Sequence, residues 1–403
     1  MANPWALAAL WVGLALLATL FAIWFRISTA LSEIVVGTVA QPVIGVYIGV
    51  VGLQGNTQWI TFLAGTGAIV LTFLAGAELD PLVFKAKWRE AMVIGLAGFF
   101  GPFLGCSAIA YYVLHWSGRS SWLCGVALST TSVAVVYAVM LELGFNVTEY
   151  GKSILAACFI NDLGTVIALG LIFSPFTFKT AIFVVVSVAA FVALPFLTPW
   201  FFSKYGGRVS ELEAKYILLL LFAGGGLAYW AGSEPVLPAY MLGMVLAGSV
   251  GKDHSLIRRL RTLTFGLLTP FYFIRAGSFV SVQAIIAAPA ALIILFMAKS
   301  TFKAVAVYPA VRFHRYDGSS GAYYTLMMST GLTFGTISAL FGLNHQIITQ
   351  NQYSYLVGTV IASAVIPTLI ANTFFLPRHL LPHAHANKLA EQPAQRTAVA
   401  EEV

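Results

Sequence analysis

Charge is scarce in this chain. Only 9% of its 403 residues are Asp, Glu, Lys or Arg, where a soluble domain carries about a quarter. Water-facing surface for a body of this size cannot be built from so few charges. With 59% hydrophobic residues and a mean hydropathy of +0.87, most of the surface must face lipid. Cysteine is scarce as well. Cys106, Cys124 and Cys158 all lie in apolar stretches without metal-ligand spacing, which excludes a disulfide framework and leaves them as small buried hydrophobes. No Lys or Arg precedes the first apolar run, Pro4 to Phe25. That run is long enough to span, so it reads as a retained helix and not a cleavable signal. No basic stretch is interleaved with aromatics, so the net charge of +7 points to loop topology and not to a nucleic-acid partner. HExxH, GxSxG and loop-borne catalytic dyads are missing too, which argues against a membrane enzyme.

What is present is a series of apolar segments. A helix needs about 20 such residues to cross the hydrocarbon core. That length predicts thirteen spans, at roughly 5–25, 31–50, 60–80, 90–113, 121–141, 151–173, 178–202, 214–232, 236–251, 262–282, 286–307, 321–342 and 351–376. The expected class is an all-α membrane protein with one transporter domain over residues 1–376 and a disordered cytoplasmic tail over 377–403. With the N-terminus outside, Arg26, Lys85, Lys87, Arg89, Lys152, Lys204, Arg208, Lys252, Arg258, Arg259, Arg261, Arg312 and Arg315 all fall on inside loops. Arg119 and Lys179 fall outside. Basic residues gather on the cytoplasmic side, so this asymmetry predicts the orientation and a cytoplasmic C-terminus.

Two internal echoes follow. Ile34-Val35-Val36-Gly37-Thr38-Val39 resembles Tyr240-Met241-Leu242-Gly243-Met244-Val245, seven spans away. An odd separation places the copies in opposite orientations, as in the inverted repeats of secondary transporters. Ser129-Thr130-Thr131-Ser132 in the fifth span is matched by Ser329-Thr330-Gly331-Leu332-Thr333 in the twelfth. Hydroxyls and glycine at mid-span can satisfy backbone groups freed where a helix breaks. Matched broken helices are the best sequence pointer to a binding site.

Few ionisable residues lie within the spans. Asp162 stands about 11 residues into the sixth span, near the midplane at 1.5 Å per residue. A charge at that depth marks a functional site by default. A carboxylate that can hold either a proton or a cation is the core of an exchange mechanism. Asn161 precedes it and can orient by hydrogen bonding but carries no proton. Lys299 lies mid-span in the eleventh segment and reads as the charge partner. Lys303 follows one turn later on the same face, nearer the cytoplasmic end, and reads either as a second charge partner or as a snorkelling interface lysine. Arg275 in the tenth span cannot deprotonate and reads as half of a structural ion pair. Glu78 and Asp80 close the third span as interface charges or as part of a cytoplasmic mouth.

The segment Phe73-Leu74-Ala75-Gly76-Ala77-Glu78-Leu79-Asp80, the run Thr131-Ser132-Val133-Ala134-Val135-Val136 and the pair Asn161-Asp162 together resemble the cation/proton antiporter superfamily. Among its branches, the sequence looks like the Kef/Nap-type sodium(potassium)/proton exchangers. The resemblance runs over about 5 to 376. It implies two inverted five-helix repeats (about 31–173 and 236–376) with crossed discontinuous helices, in a sodium/proton antiporter fold. It further implies interface helices (about 5–25 and 178–232), a homodimer, and elevator-like alternating access. By position it makes Asp162 the cation and proton carboxylate, and makes Lys299 the basic residue facing it. Thr130, Thr131 and Ser132 become contributors on the broken helix, with Asp162 and Thr131 as ligands of the monovalent cation. Ser329, Thr330, Arg275 and Glu78 are accessory candidates. No cofactor is implied beyond transported Na+ or K+ and H+. Asn161 stands where electrogenic members have a second aspartate, so electroneutral one-for-one exchange is expected. The nucleotide-binding domain of Kef-type systems has no counterpart in this sequence, so ligand-gated potassium efflux is not expected. Two rival readings remain at this stage. A sodium-coupled organic solute symporter would share the inverted-repeat plan, and a cation channel would need a filter-like segment.

Overall fold

The computed structural model describes residues 3–381, apart from 26, 48–52, 78–80, 146–147, 174–176, 208–210, 234, 252 and 315. Among these the chain is helical, without strands. The first helices are α1 (Pro4–Phe25), α2 (Thr29–Tyr47), α3 (Gln58–Ala77) and α4 (Pro81–Tyr112). Then come α5 (Gly118–Ser129), α6 (Val133–Glu142), α7 (Glu149–Phe173), α8 (Phe178–Tyr205), α9 (Leu212–Trp230) and α10 (Val236–Leu246). Next, α11 (His254–Leu263) runs through a π-helical turn at Thr264–Leu268 into α12 (Thr269–Ser278). The chain continues with α13 (Val282–Ala287), α14 (Pro289–Phe313), α15 (Gly318–Ser329), α16 (Thr333–Asn344) and α17 (Gln350–Ile370).

Among the described residues each predicted apolar stretch contains helix, some of it interrupted or short. Nine of the described helices, with α15 and α16 taken as one, are long and apolar enough to cross a membrane. The weaker stretches differ for local reasons. Around 31–50, α2 carries an internal proline, Pro42. Around 236–251, α10 holds only 11 residues before the backbone turns at Ala247. α4 begins earlier than expected and kinks at Lys87 (φ −112°, ψ 16°), and its membrane-crossing part starts at that kink. α11 carries Arg258, Arg259 and Arg261 and is capped at its start by the Asp253 side chain, which accepts from the amides of Ser255 and Leu256.

The helices pack as two groups. α4 sits against α5, α7 and α14, while α14, α15, α16 and α17 pack on one another. In the other group α2 lies on α12 and α3 on α10, with α1, α8 and α9 alongside. The echoed glycines explain the tight crossings in this second group. A Cβ at Gly37 would lie 2.2 Å from Ile274 O, and one at Gly277 would lie 2.1 Å from Ile34 O. At the α3–α10 crossing, Gly243 and Gly76 make the same close approach to Phe73 O and Tyr240 O. Lipid supplies no hydrophobic drive for helix association, so close backbone packing of small residues takes its place. The outward face of α8 is apolar, with Val185, Val192 and Phe196 exposed. α10 also meets α7, where the Tyr240 hydroxyl donates to Phe159 O (3.1 Å) and the two rings stack.

Candidate functional site

Both Ser/Thr clusters are helix interruptions. α5 stops at Ser129 and α6 starts at Val133, with Thr130 extended (φ −62°, ψ 150°). α15 stops at Ser329 and α16 starts at Thr333, with Thr330 extended (φ −66°, ψ 135°). The two breaks lie against each other. Ser132 N donates to Thr330 O (2.9 Å), Thr131 Oγ1 donates to Met328 O (2.7 Å), and the Ser132 and Thr333 hydroxyls are 3.4 Å apart.

A broken helix exposes carbonyls that must find donors inside the protein, because lipid offers none. Here local hydroxyls supply several. Thr130 Oγ1 donates back to Ala127 O (3.1 Å) and Ser129 Oγ to Val126 O (2.9 Å). On the other helix, Thr330 Oγ1 donates to Met327 O (2.8 Å) and Ser329 Oγ to Thr325 O (2.8 Å). These four hydroxyls therefore bond carbonyls in the last turns before the breaks. The Thr131 hydroxyl, expected as a cation ligand, is engaged on both sides in this conformation, by Met328 O and by the Lys303 ammonium.

Of the two readings of Lys303, snorkelling is the one the structure contradicts, since this side chain is fully buried. Its Nζ donates to Gly98 O (2.7 Å), Ser129 O (2.7 Å) and Thr131 Oγ1 (3.0 Å). Three acceptors match the three N–H donors of an ammonium. Ser129 is the last residue of α5, so the charge also meets the negative end of that half-helix. Lys299, one turn away on the same face, is equally buried and serves the second break. Its Nζ donates to Ser363 Oγ (2.9 Å) and rests against Gly331, where a Cβ would come within 2.1 Å of it. Ser363 on α17 escaped the sequence reading because a single serine among small apolar residues carries no signal.

Asp162 is buried on α7. The backbone amides of Thr131 and Val133, at the first break, face its carboxyl, and both lysine charges act on it, Lys303 the more strongly. No ion pair within 4 Å joins it to either lysine among the described residues, and its Oδ1 has no hydrogen-bond donor. Asn161 turns another way. Its Nδ2 reaches Gly95 O on α4 (3.4 Å), and its Oδ1 is also buried without a donor. A buried oxygen without a donor is an expensive arrangement unless something else binds it. Oxygen ligands suit a hard cation, and a proton satisfies the carboxylate equally well.

Other candidates fall elsewhere. Glu78, with Asp80, lies outside the described residues. Arg275 is buried at the far end of α12. It makes no ion pair among the described residues, contrary to expectation. Its Nε donates to Gly55 O (2.7 Å) and its guanidinium stacks on the Phe279 ring (4.9 Å). Two carboxylates went unremarked in the sequence. Glu33 on α2 is buried. Glu90 on α4 sits 3.5 Å from Lys87 and accepts from the hydroxyls of Ser153 and Tyr316. Both stand near span ends, where an acid draws no notice.

Comparison with known proteins bears on this site. The family model described as sodium/hydrogen exchanger, transmembrane, matches residues 12–376. The probable Na(+)/H(+) antiporter 3 of Methanocaldococcus jannaschii is 24% identical over 83% of this chain and 89% of its own length. The Na(+)/H(+)-K(+) antiporter GerN of Bacillus cereus is 22% identical over 82% and 88%. In fold, the sodium proton antiporter MjNhaP1 of M. jannaschii, solved at pH 8, superposes with a TM-score of 0.66. That match covers 93% of this chain and 98% of that one, at 14% identity.

Proposed function

The chain belongs to the sodium/hydrogen exchanger family, and on that premise we propose that it exchanges one Na+ or K+ for one H+, with Asp162 as the shared carrier. The observation that carries this reading is the Asp162 carboxyl, buried at the crossing of two interrupted helices with one oxygen lacking a donor. A proton or a monovalent cation can fill that requirement, but not both together. This competition couples the two fluxes.

Stoichiometry follows from the charge count. One carboxylate that alternates between a proton and a cation moves no net charge. Lys303 holds three oxygen partners and serves as a fixed charge. Lys299 has one side-chain partner and is also assigned a permanent proton. Asn161 in place of a second acid adds nothing to the count. The membrane-spanning helices divide into a group around the crossing and a group containing α2, α3, α10 and α12. Sliding of one group against the other would carry Asp162 between the two faces in elevator fashion, with Tyr240 and Phe159 at their contact. We place the protein in the plasma membrane as a homodimer, N-terminus outside, with the apolar face of α8 turned to lipid or to the second copy.

Purified protein in liposomes with a trapped pH dye tests this. Addition of Na+, K+ or Li+ is expected to collapse an imposed proton gradient with saturation, and Asp162→Asn to abolish the response while the melting profile is kept. Full exchange in Asp162→Asn would overturn the assignment. A clamped membrane potential is expected to leave the rate unchanged. A strong dependence would make Lys299 a second proton carrier. Uptake of an organic solute with sodium and without proton counterflow would point to a symporter, and non-saturating flux to a channel.

A further inference from the structure

A second polar feature lies away from the helix crossing, at the end of the bundle where α16 finishes. There a cavity of about 140 Å³ opens between α3, α10, α12 and α16, lined among others by Thr61, Val236, Tyr272, Arg275, Asn344 and His345. Thr61, Asn344 and His345 are exposed, while Arg275 is buried behind them. Only the Nε of Arg275 has a protein acceptor, Gly55 O. Its two terminal nitrogens have none among the described residues, and Arg275 is one of the residues that line the cavity. A guanidinium is permanently charged and presents its donors as a planar fork.

The surrounding backbone reinforces that charge. α3 opens at Gln58, so Thr61 lies in its first turn, and α10 opens at Val236. Both helices thus direct positive N-terminal ends at the cavity, and α16 opposes them with one C-terminal end. The full charge of Arg275 decides the sign. The Arg275 charge opposes binding of a cation beside it. It suits the opposite kind of ion.

We propose that this cavity is a binding site for a small monovalent anion, held by the terminal nitrogens of Arg275 and the side-chain amide of Asn344. The class is a halide or a small carboxylate. One guanidinium balances one negative charge.

The test uses the purified full-length chain in detergent, melted while its tryptophan fluorescence is followed. Sodium chloride and sodium formate are each titrated against sodium gluconate at constant Na+. The expected result is a saturable rise in melting temperature of about 2–4 °C. A response to chloride assigns a halide site, and a response to formate alone assigns a carboxylate site. Arg275→Gln and Asn344→Asp are each expected to remove the rise, the second by placing a built-in carboxylate beside the guanidinium. Asn344→Asp keeps the test valid if Arg275→Gln does not fold. The rise is expected to persist in Asp162→Asn, which separates this site from the transport reading. The proposal is overturned by the absence of any saturable anion effect. An unchanged effect in Asn344→Asp also overturns it, since that would mark an adventitious ion only.

Discussion

Lys299 and Lys303 offer a controlled comparison, because they share one helix, one face and complete burial. Replacing either by methionine removes an ammonium and leaves a side chain of similar length. The desolvation relieved is about the same in both, so it cancels in the difference between the two variants. What remains is the set of acceptors left behind. Lys303→Met strands Gly98 O, Ser129 O and Thr131 Oγ1, whereas Lys299→Met strands Ser363 Oγ alone. The Ser363 hydroxyl keeps its own donation to Val360 O and Gly331 O, so only its accepting lone pair loses a partner. A hydrogen bond from a charged donor contributes about 1.5–3 kcal/mol. Two additional bonds therefore make Lys303→Met less stable than Lys299→Met by about 3–6 kcal/mol. Denaturation of both variants in mixed micelles, followed by tryptophan fluorescence, measures the gap. Equal stabilities, or a less stable Lys299→Met, would refute the view that Lys303 closes the C-terminus of α5.

Three further outcomes are expected. Gly331→Ala puts a methyl 2.1 Å from Lys299 Nζ; the flexible ammonium can move aside, so folding is expected to survive while exchange in liposomes falls about tenfold, equivalent to about 1.4 kcal/mol. Gly37→Ala and Gly277→Ala meet backbone carbonyls that cannot yield and are expected to destabilise by about 1–3 kcal/mol or more, whereas Gly65→Ala, with nothing within 4 Å, serves as a silent control in the same melts. Asp253 caps α11 outside the membrane. Partial burial pushes its carboxyl up, but bonds from Leu256 and Ser255 and the charge of Arg259 outweigh this and hold it below the usual carboxylate range. A lowered folded value means that the cap stabilises fully above about pH 4 and fades as pH falls through that lowered value. Asp253→Ala is expected to lose about 0.5–2 kcal/mol at pH 7, with the gap to wild type closing in melts below about pH 4.

The sequence by itself determined the solvent and the helical class, and it pointed to the helix crossing. Scarcity of charge requires lipid, and backbone groups in lipid require helices. An isolated Asp162 at mid-span, two matched Ser/Thr/Gly clusters and a lysine pair locate the crossing, because depth in a membrane is readable from residue count alone. Tertiary structure decided what those residues touch. Position along α14 makes Lys303 look peripheral, yet Gly98, Ser129 and Thr131 come from other helices and surround it. The echo at Gly37 and Gly243 looks like a repeat signature, and its local meaning is the clearance that backbone carbonyls of α12 and α3 require. Arg275 invites an acidic partner on paper; the fold gives it a carbonyl, an aromatic face and a cavity. Pairings between distant segments leave no trace in local composition. Only the packed helices could show which oxygens keep a donor and which, on Asn161 and Asp162, do not.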